Sequence, residues 1–340
     1  MSKITFNHPR IPFEEFVSDP EYNNPEPAAP TSRSVKERKK NYPGRRPYSD
    51  IRDNKGNEKA EEDNRLFYVS LGSGSSGNSC YVGTSKGGIL IDAGLKAEDI
   101  ERKLLENGIG MNMVKGLFLT HDHSDHVRYS YNLLRNHRHM RLFCTPRVLT
   151  GLLRRHNISK RIKEYHEPIF KEIPKNVLDM EITAFDVPHD GSDNMGFSIE
   201  YAGKRFVLAT DLGAITERAY HYMSRANYLV IEANYDADML RLGRYPEYLK
   251  ARIQTDHGHM RNEDTAKFLQ DIINPDLKFV FLCHLSQDNN TPSKALKAVR
   301  KALEEKGKKV GDAETMADKD ADVQLTALPR FDSSRWYVFI

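Results

Sequence analysis

The sequence predicts an α+β protein with two β-sheets and helices packed on their outer faces. Nine short runs rich in β-branched and aromatic residues follow residue 65, and helical stretches separate many of them. Because the strand-like runs come in groups as well as alternating with helices, a simple doubly wound sheet is not favoured. With 340 residues, 39% of them hydrophobic, the chain is long enough to bury a substantial core.

The N-terminal region differs from the rest of the chain in composition. Its first 64 residues contain eight of the sixteen prolines and have no sustained apolar period. We therefore expect residues 1–64 to form a largely disordered tail and residues 65–340 to form the folded domain.

The elements of the folded domain follow from local patterning. Residues 306–322 look like an exposed loop before a last strand pair. The predicted strands span 66–71, 79–83, 88–92, 116–120, 181–187, 196–201, 205–210, 228–233 and 278–283, and the predicted helices span 97–107, 127–137, 146–155, 216–224, 263–273 and 292–305.

Charge and composition argue against a uniformly basic nucleic-acid-binding protein, a membrane protein and a secreted disulfide-rich protein. The 51 basic and 48 acidic side chains leave a net charge of +3, so any nucleic-acid preference must come from local patches. No apolar run is long enough for a membrane helix and the start lacks a secretory signal, which predicts a soluble, cytoplasmic protein. The three cysteines, Cys80, Cys144 and Cys283, suit buried thiols better than a disulfide framework.

The segment Gly72 to Gly77 matches the pattern G-x-G-x-x-G after a strand. A dinucleotide fingerprint needs a helix to open at these glycines, yet the following residues have a β-hairpin pattern. We expect the glycines instead to let a tight loop pass close to another group, such as a site.

The strongest chemical signal is the H-x-H-x-D-H motif at residues 121–126. In an extended segment, alternate side chains share a face, so His121 and His123 can bind one metal ion. The turn into the next helix aims Asp125 and His126 at a second ion. Imidazole and carboxylate ligands suit zinc, and also manganese or iron.

Further polar residues interrupt apolar runs at their carboxyl ends. His189, Asp211 and His284 each stand in this position, which predicts that they join the same metal site. Asp92 ends another such run and could be a ligand or could orient a ligand histidine.

The order of these residues resembles the five motifs of the metallo-β-lactamase superfamily over about residues 66–340. The flanking segments are LGSGSSGNSCYV, VPHDGSDNMGF, IEANYD, RYPEYLKARI, GHMRNEDTA and HLSQDNN. They narrow the resemblance to the YycJ/WalJ branch, which is related to RNase Z-like and β-CASP nucleases. The resemblance implies a four-layer αββα sandwich in which His121, His123 and His189 hold one ion, Asp125, His126 and His284 hold the second, and Asp211 bridges them.

The resemblance also implies the catalytic groups. A hydroxide bridging the two ions would be the nucleophile. In RNase Z-like enzymes a glutamate orients a histidine outside the metal shell, and Glu232 and His259 match those positions here. His257 is a rival for His259, and Asp125 counts as a catalytic residue as well as a ligand.

A stretch of the sequence whose charged residues are all basic favours a polyanionic substrate. Residues 127–163 contain ten Lys or Arg and no Asp or Glu, which suits phosphate binding, although a solvated helix face is the alternative. Candidate substrate contacts are Arg128, Arg244, Lys250 and Ser286.

The resulting hypothesis is a hydrolase that acts as a DNA phosphodiesterase or exonuclease. An RNase Z-like RNA-processing enzyme comes second, and a small thioester or lactone hydrolase third. β-Lactam hydrolysis and a non-enzymatic binding module are less favoured, the latter because the ligand set is complete.

Overall fold

A computed structural model describes residues 63–340, which form four layers in the order helices, sheet, sheet, helices. The predicted α+β, αββα sandwich is confirmed. The predicted tail, apart from Asp63 and Asn64, lies outside the described residues.

The described residues contain fifteen strands, numbered β1 to β15 in chain order. All nine predicted strands are present, whereas β5, β6, β7 and β13 were not predicted. The strands are Leu66–Gly72, Ser79–Thr84, Gly87–Ile91, Val114–Phe118, Arg141–Cys144, His166–Pro168, Lys175–Val177, Met180–Asp186, Met195–Tyr201, Lys204–Ala209, Tyr228–Glu232, Phe279–Cys283, Val310–Asp312, Val323–Ala327 and Tyr337–Phe339.

The strands form two sheets with mixed pairing. The first sheet has the order β15-β1-β2-β3-β4-β5-β6, and the second has the order β13-β14-β12-β11-β10-β9-β8-β7. Strands β3 and β4 pair in parallel, as do β10, β11 and β12. The predicted final strand pair is wrong: β14 pairs with β12 and β15 pairs with β1, so the chain crosses between the sheets before it ends.

Aromatic side chains fill the space between the sheets. The ring of Tyr68 on β1 lies 4.9 Å from that of Phe206 on β10 and 5.1 Å from that of Phe281 on β12. Phe118 on β4 meets Phe197 on β9 edge to face at 5.5 Å. These pairs bury large apolar areas and hold the two sheets in a fixed relation.

Nine α-helices occur among the described residues and are numbered α1 to α9. α1 packs on β1, whereas α5 and α9 pack on the second sheet and α8 packs on α9. The predicted helix 127–137 corresponds to the shorter α3, and α2, α6 and α7 were not predicted. The helices are Ala97–Glu106, Ser124–Val127, Ser130–Asn136, Pro146–Arg155, Glu217–Met223, Ala237–Leu242, Glu247–Ile253, Asn262–Ile272 and Pro292–Glu305.

The three cysteines are buried and free, which confirms the prediction of buried thiols. Burial raises the pKa of Cys144 to about 12, so its thiol stays protonated at neutral pH. Within residues 63–340, no helix has both the length and the apolar character needed to cross a membrane.

Helix α4 packs closely on the loops that carry His121, His123 and His189. A methyl group built on Gly151 of α4 would lie 2.0 Å from Asp122 Oδ2 and 2.2 Å from Ser192 Oγ. The Asp122 carboxylate accepts hydrogen bonds from the Ser192 amide and hydroxyl, at 2.8 and 2.7 Å. Asp122 stands between His121 and His123, so this contact fixes the motif against the loop after His189.

We expect Gly151→Ala to destabilise the protein even though alanine is the better helix former. Helix propensity favours the substitution by about 1 kcal/mol, and overpacking costs about 1–3 kcal/mol. The melting temperature in thermal unfolding reports the sum of these two effects. Thr150→Ala, at an exposed position of the same helix, is the control. A higher melting temperature for Gly151→Ala would contradict the tight contact.

Candidate metal centre

The sequence-predicted ligands meet where strands of both sheets end. Asp92 follows β3 and the motif at 121–126 follows β4 in the first sheet. His189, Asp211 and His284 follow β8, β10 and β12 in the second. These strands have their carboxyl ends at one edge of the sandwich, so residues far apart in sequence form a single cluster.

Three of these residues have a left-handed backbone conformation. The φ angles are 62° at Asp92 and 51° at both Asp211 and His284. For a residue other than glycine such a conformation costs on the order of 1–3 kcal/mol and is typical of functional sites. Each of these turns comes within two residues of the end of a strand and aims the side chain into the cluster.

The first group of donors contains His121, His123 and His189, whose ring nitrogens lie within 4.8 Å of one another. His189 Nε2 is 3.2 Å from His123 Nδ1. His121 Nε2 is buried and has no hydrogen-bond partner among the described residues. A buried, unpartnered imidazole nitrogen facing two others fits a metal ion.

The second group contains Asp125, His126 and His284. Asp125 Oδ2 lies 3.4 Å from His126 Nε2 and 3.3 Å from His284 Nε2. Asp211 stands between the two groups: its carboxylate oxygens are 3.2 Å from His126 Nε2 and 3.8 Å from His189 Nε2. The arrangement therefore offers two adjacent sets of nitrogen and oxygen donors that share one carboxylate.

The protonation of the histidines differs between the two groups. Burial, together with neighbouring histidines, lowers the pKa of His121 well below its usual value and that of His123 to about 3. Burial also opposes charge on His126 and His284, but the nearby carboxylates, Asp211 foremost, outweigh it and raise their pKa values. The first group is thus neutral, whereas ions binding at the second compete with protons.

Asp92 lies behind the donors and orients His126. Its Oδ2 accepts a 2.7 Å hydrogen bond from His126 Nδ1, which leaves Nε2 directed at Asp125 and Asp211. Its two oxygens also accept from the amide and hydroxyl of Thr120, at 2.9 and 2.8 Å. Of the two roles open to Asp92 from the sequence, this geometry favours the orienting one.

Glu232 and His259 form a pair next to the donors. His259 Nδ1 donates to Glu232 Oε1 at 2.8 Å, and the amides of Leu212 and Met260 donate to Oε2, each at 3.1 Å. Burial opposes charge on His259, but the Glu232 carboxylate outweighs it and raises the pKa. Glu232 Oε1 also lies 3.0 Å from His284 Nδ1, so the pair is tied to a candidate ligand, whereas His257 is exposed to solvent.

The four candidate substrate contacts occupy different settings. Arg128 and Arg244 are exposed. Lys250 Nζ donates to Arg241 O at 3.0 Å and to Glu247 at 2.9 Å, so it is engaged within its own helical segment. The Ser286 hydroxyl accepts from the Asn289 amide at 3.2 Å and stabilises its own turn.

Asp190 was missed by the sequence analysis although it directly follows His189. Its Oδ1 lies 3.2 Å from His123 Nε2, the ring nitrogen opposite the one that faces His189. Arg252 on α7 holds the other oxygen of Asp190 at 2.8 Å. From the sequence one can expect that some carboxylate lies behind a candidate ligand histidine. The sequence does not reveal which acidic residue reaches the ring.

Residues 88–284 match the family profile described as beta-lactamase superfamily domain. The chain belongs to the metallo-β-lactamase superfamily. The profile includes every candidate ligand from His121 to His284 together with Asp92.

Relatives within this superfamily narrow the resemblance to the YycJ/WalJ branch. The chain is 35% identical over 256 residues to exodeoxyribonuclease YycJ of Bacillus anthracis, covering 75% of this chain and 96% of that protein. It is 34% identical over 224 residues to exodeoxyribonuclease WalJ of Streptococcus pneumoniae, covering 66% and 82%. The crystal structure of Zn²⁺-bound PqqB from Methylobacterium extorquens shares the fold, with a TM-score of 0.55 and 17% identity over 80% of this chain and 99% of that one.

We expect Asp190→Ala to weaken zinc binding by about 10- to 100-fold, because His123 loses the carboxylate that fixes its ring. Competition with a chromogenic chelator measures the affinity. Asp186→Ala, which removes a more exposed carboxylate paired with Lys171 at the end of β8, is the matched control. Equal zinc affinity for Asp190→Ala and the parent would show that Asp190 has no orienting role.

Proposed function

We propose that the protein is a metal-dependent phosphodiesterase that degrades DNA as an exonuclease. The observation that carries the proposal is the complete set of histidine and aspartate donors at the edge of the two sheets. The similarity of this chain to YycJ, which is named an exodeoxyribonuclease, extends over 96% of that relative. This similarity favours DNA as the substrate over RNA or a small ester.

The proposed cofactors are two divalent metal ions. Zinc suits the donors best, and manganese or iron is also compatible with them. His121, His123 and His189 would hold one ion, Asp125, His126 and His284 the other, and Asp211 would contribute to both. When bound, such a pair lowers the pKa of water and stabilises the charge that develops on a phosphoryl group during displacement.

We assign proton transfer to His259. Its Nδ1 is occupied by Glu232, which fixes the ring and leaves Nε2 to donate a proton to the oxygen that leaves the phosphorus. The two amide hydrogen bonds to Glu232 keep this carboxylate in place while the proton moves. We also propose Asp125 as a catalytic residue. It belongs to the second group of donors, where His126 and His284 hold its carboxylate.

The basic stretch at 127–163 supports a polyanionic substrate. Its members are all exposed, and among the described residues only Arg155 and Arg161 have a carboxylate within 4.0 Å. Eight further cations without an ion pair make a favourable surface for phosphates, which release counterions on binding. The ten residues are Arg128, Arg135, Arg138, Arg141, Arg147, Arg154, Arg155, Lys160, Arg161 and Lys163.

The α6–α7 segment adds a second candidate contact surface. Tyr248 is 64% exposed and Arg244 is exposed, and Arg252 of the same segment reaches Asp190 beside His123. An exposed aromatic ring can stack on a base, and an exposed cation can hold a phosphate. Lys250 and Ser286 are weaker candidates because their polar atoms are engaged locally.

The proposal also includes a cytoplasmic location. Three free, buried thiols suit a reducing compartment such as the cytoplasm.

Digestion of end-labelled DNA tests the proposed function. We expect zinc- or manganese-loaded protein to shorten DNA stepwise, and Asp211→Ala to lose nearly all turnover because both donor groups lose the shared carboxylate. Asp271→Ala, at an exposed position of α8, is the control. Cleavage of RNA in preference to DNA, or of neither, would contradict the proposal, and near-parental activity of Asp211→Ala would contradict the donor assignment.

We expect His259→Ala to slow turnover by about 10²- to 10⁴-fold, the range typical of a lost general acid, while the protein keeps its metal content. Turnover and bound metal are measured on the same preparation. His257→Ala, two residues away and exposed, provides the matched control. Loss of metal from His259→Ala would instead make it a ligand, and slow turnover of His257→Ala alone would assign the proton to that residue.

A further inference from the structure

The glycine-rich loop between β1 and β2 lies directly beside the second donor group. The hydroxyl of Ser73 accepts a 2.9 Å hydrogen bond from the His284 amide. At the other end of the loop, Asn78 Nδ2 donates to Asp125 Oδ2 at 3.0 Å. The loop therefore forms a wall of the candidate metal centre, and the proposed chemistry gives its tip no role.

Arg330 extends beneath this loop. One end of its guanidinium donates to Leu285 O, next to His284, and Nη1 lies 3.5 Å from Ser75 Oγ. A methyl group on Gly74 would be 2.6 Å from Nη1, so glycine at this position leaves the space that the guanidinium occupies. The Arg330 carbonyl accepts from the Ser73 amide at 3.3 Å, which fixes the arginine backbone to the same loop.

The charge of Arg330 has no close counter-ion. Its hydrogen-bond partners among the described residues are neutral oxygens, and no carboxylate of these residues forms an ion pair with it within 4.0 Å. Burial lowers the pKa of the guanidinium, and Asp288 opposes this only from a longer distance. Arginine nevertheless stays protonated, so a half-buried cation with unused donors remains beside the donor cluster.

We propose that Arg330 and the loop tip at Ser75 and Ser76 form a phosphate-binding site for the nucleic-acid substrate. Ser75 Oγ, which lies 3.5 Å from Nη1, belongs to a half-buried residue, and the next residue, Ser76, is exposed, so the loop tip reaches the surface beside the guanidinium. A guanidinium has five N–H groups in a planar fork and binds two oxygens of a phosphate at once.

The site rests on the proposed function and makes it more specific. Because Arg330 contacts the residue next to His284 and not a donor itself, it holds a phosphate other than the one that is cleaved. The group could be the terminal phosphate of a strand or a neighbouring backbone phosphate, and both have the same chemistry.

Salt-dependent DNA binding tests the site. Metal-loaded protein is titrated with single-stranded phosphorothioate DNA, which slows cleavage, at several salt concentrations. We expect Arg330→Met to weaken binding at least tenfold and to reduce the slope of log K against log salt by about 0.7, the value for one phosphate contact on a single strand. Strands with a 5′-phosphate, a 3′-phosphate or hydroxyl ends distinguish a terminal from an internal phosphate.

Arg335→Met is the matched control, because Arg335 lies on the same C-terminal segment and contacts Glu314 O and Tyr337. We expect it to leave the slope unchanged. Arg330→Met should retain its metal content and melting temperature, and Arg330→Lys should recover part of the slope. An unchanged slope for Arg330→Met overturns the phosphate site, whether or not affinity falls.

Failure of the proposed nuclease function can be distinguished from failure of the phosphate site. If the parent does not bind DNA at all, the nuclease proposal fails. Phosphate binding by Arg330 is then tested with inorganic phosphate as an inhibitor of ester hydrolysis by the metal-loaded protein. Inhibition that is at least threefold weaker for Arg330→Met supports the site. Equal inhibition of the parent and Arg330→Met overturns it.

Discussion

The structure depends on how buried carboxylates are paired where the two sheets meet. Asp92, Asp211 and Glu232 are almost inaccessible to solvent, and an unpaired charge in such a position is very costly. Asp92 is satisfied by Thr120 and His126, and Glu232 by two amides and two histidines. Asp211 has histidines around it, and this crowding of donors makes the cluster suited to cations.

The same contacts join the two sheets. Asp125 and His126 lie on α2, which follows β4 of the first sheet, and they meet His284 and Asp211, which follow strands of the second sheet, at 3.3 and 3.2 Å. His123, after β4, meets His189, after β8 of the second sheet, at 3.2 Å. Because the donor groups span both sheets, any change in how the sandwich packs also changes the distances between donors. The aromatic core between the sheets therefore contributes to the precision of the site.

The sequence predicted the fold and the donor cluster for a physical reason. Buried strands have continuous β-branched and aromatic runs, and polar residues that follow such runs are visible without a structure. α6 and α7 were missed because Gly243 and Pro246 interrupt a short helical pattern, and β6 and β7 have only three residues each. The pairing of β15 with β1 was missed because residues far apart in sequence determine which sheet a final strand joins.

The supporting groups around the donors were less predictable than the donors. Asp190 and Arg330 act through contacts with residues remote in sequence, His123 and Ser75, and no spacing rule connects them. Glycine at Gly74 was noticed, but its reason became apparent only when the Arg330 guanidinium was found against it. Single residues within a motif are therefore predictable, whereas the partners that orient them depend on the three-dimensional fold.

The donor cluster is proposed to hold two metal ions. Anomalous diffraction from zinc-grown crystals, measured on both sides of the zinc absorption edge, tests it most directly. We expect two anomalous peaks about 3.5–4 Å apart, one at the His121, His123 and His189 group and the other at the Asp125, His126 and His284 group. A single peak, or peaks away from these residues, would contradict it.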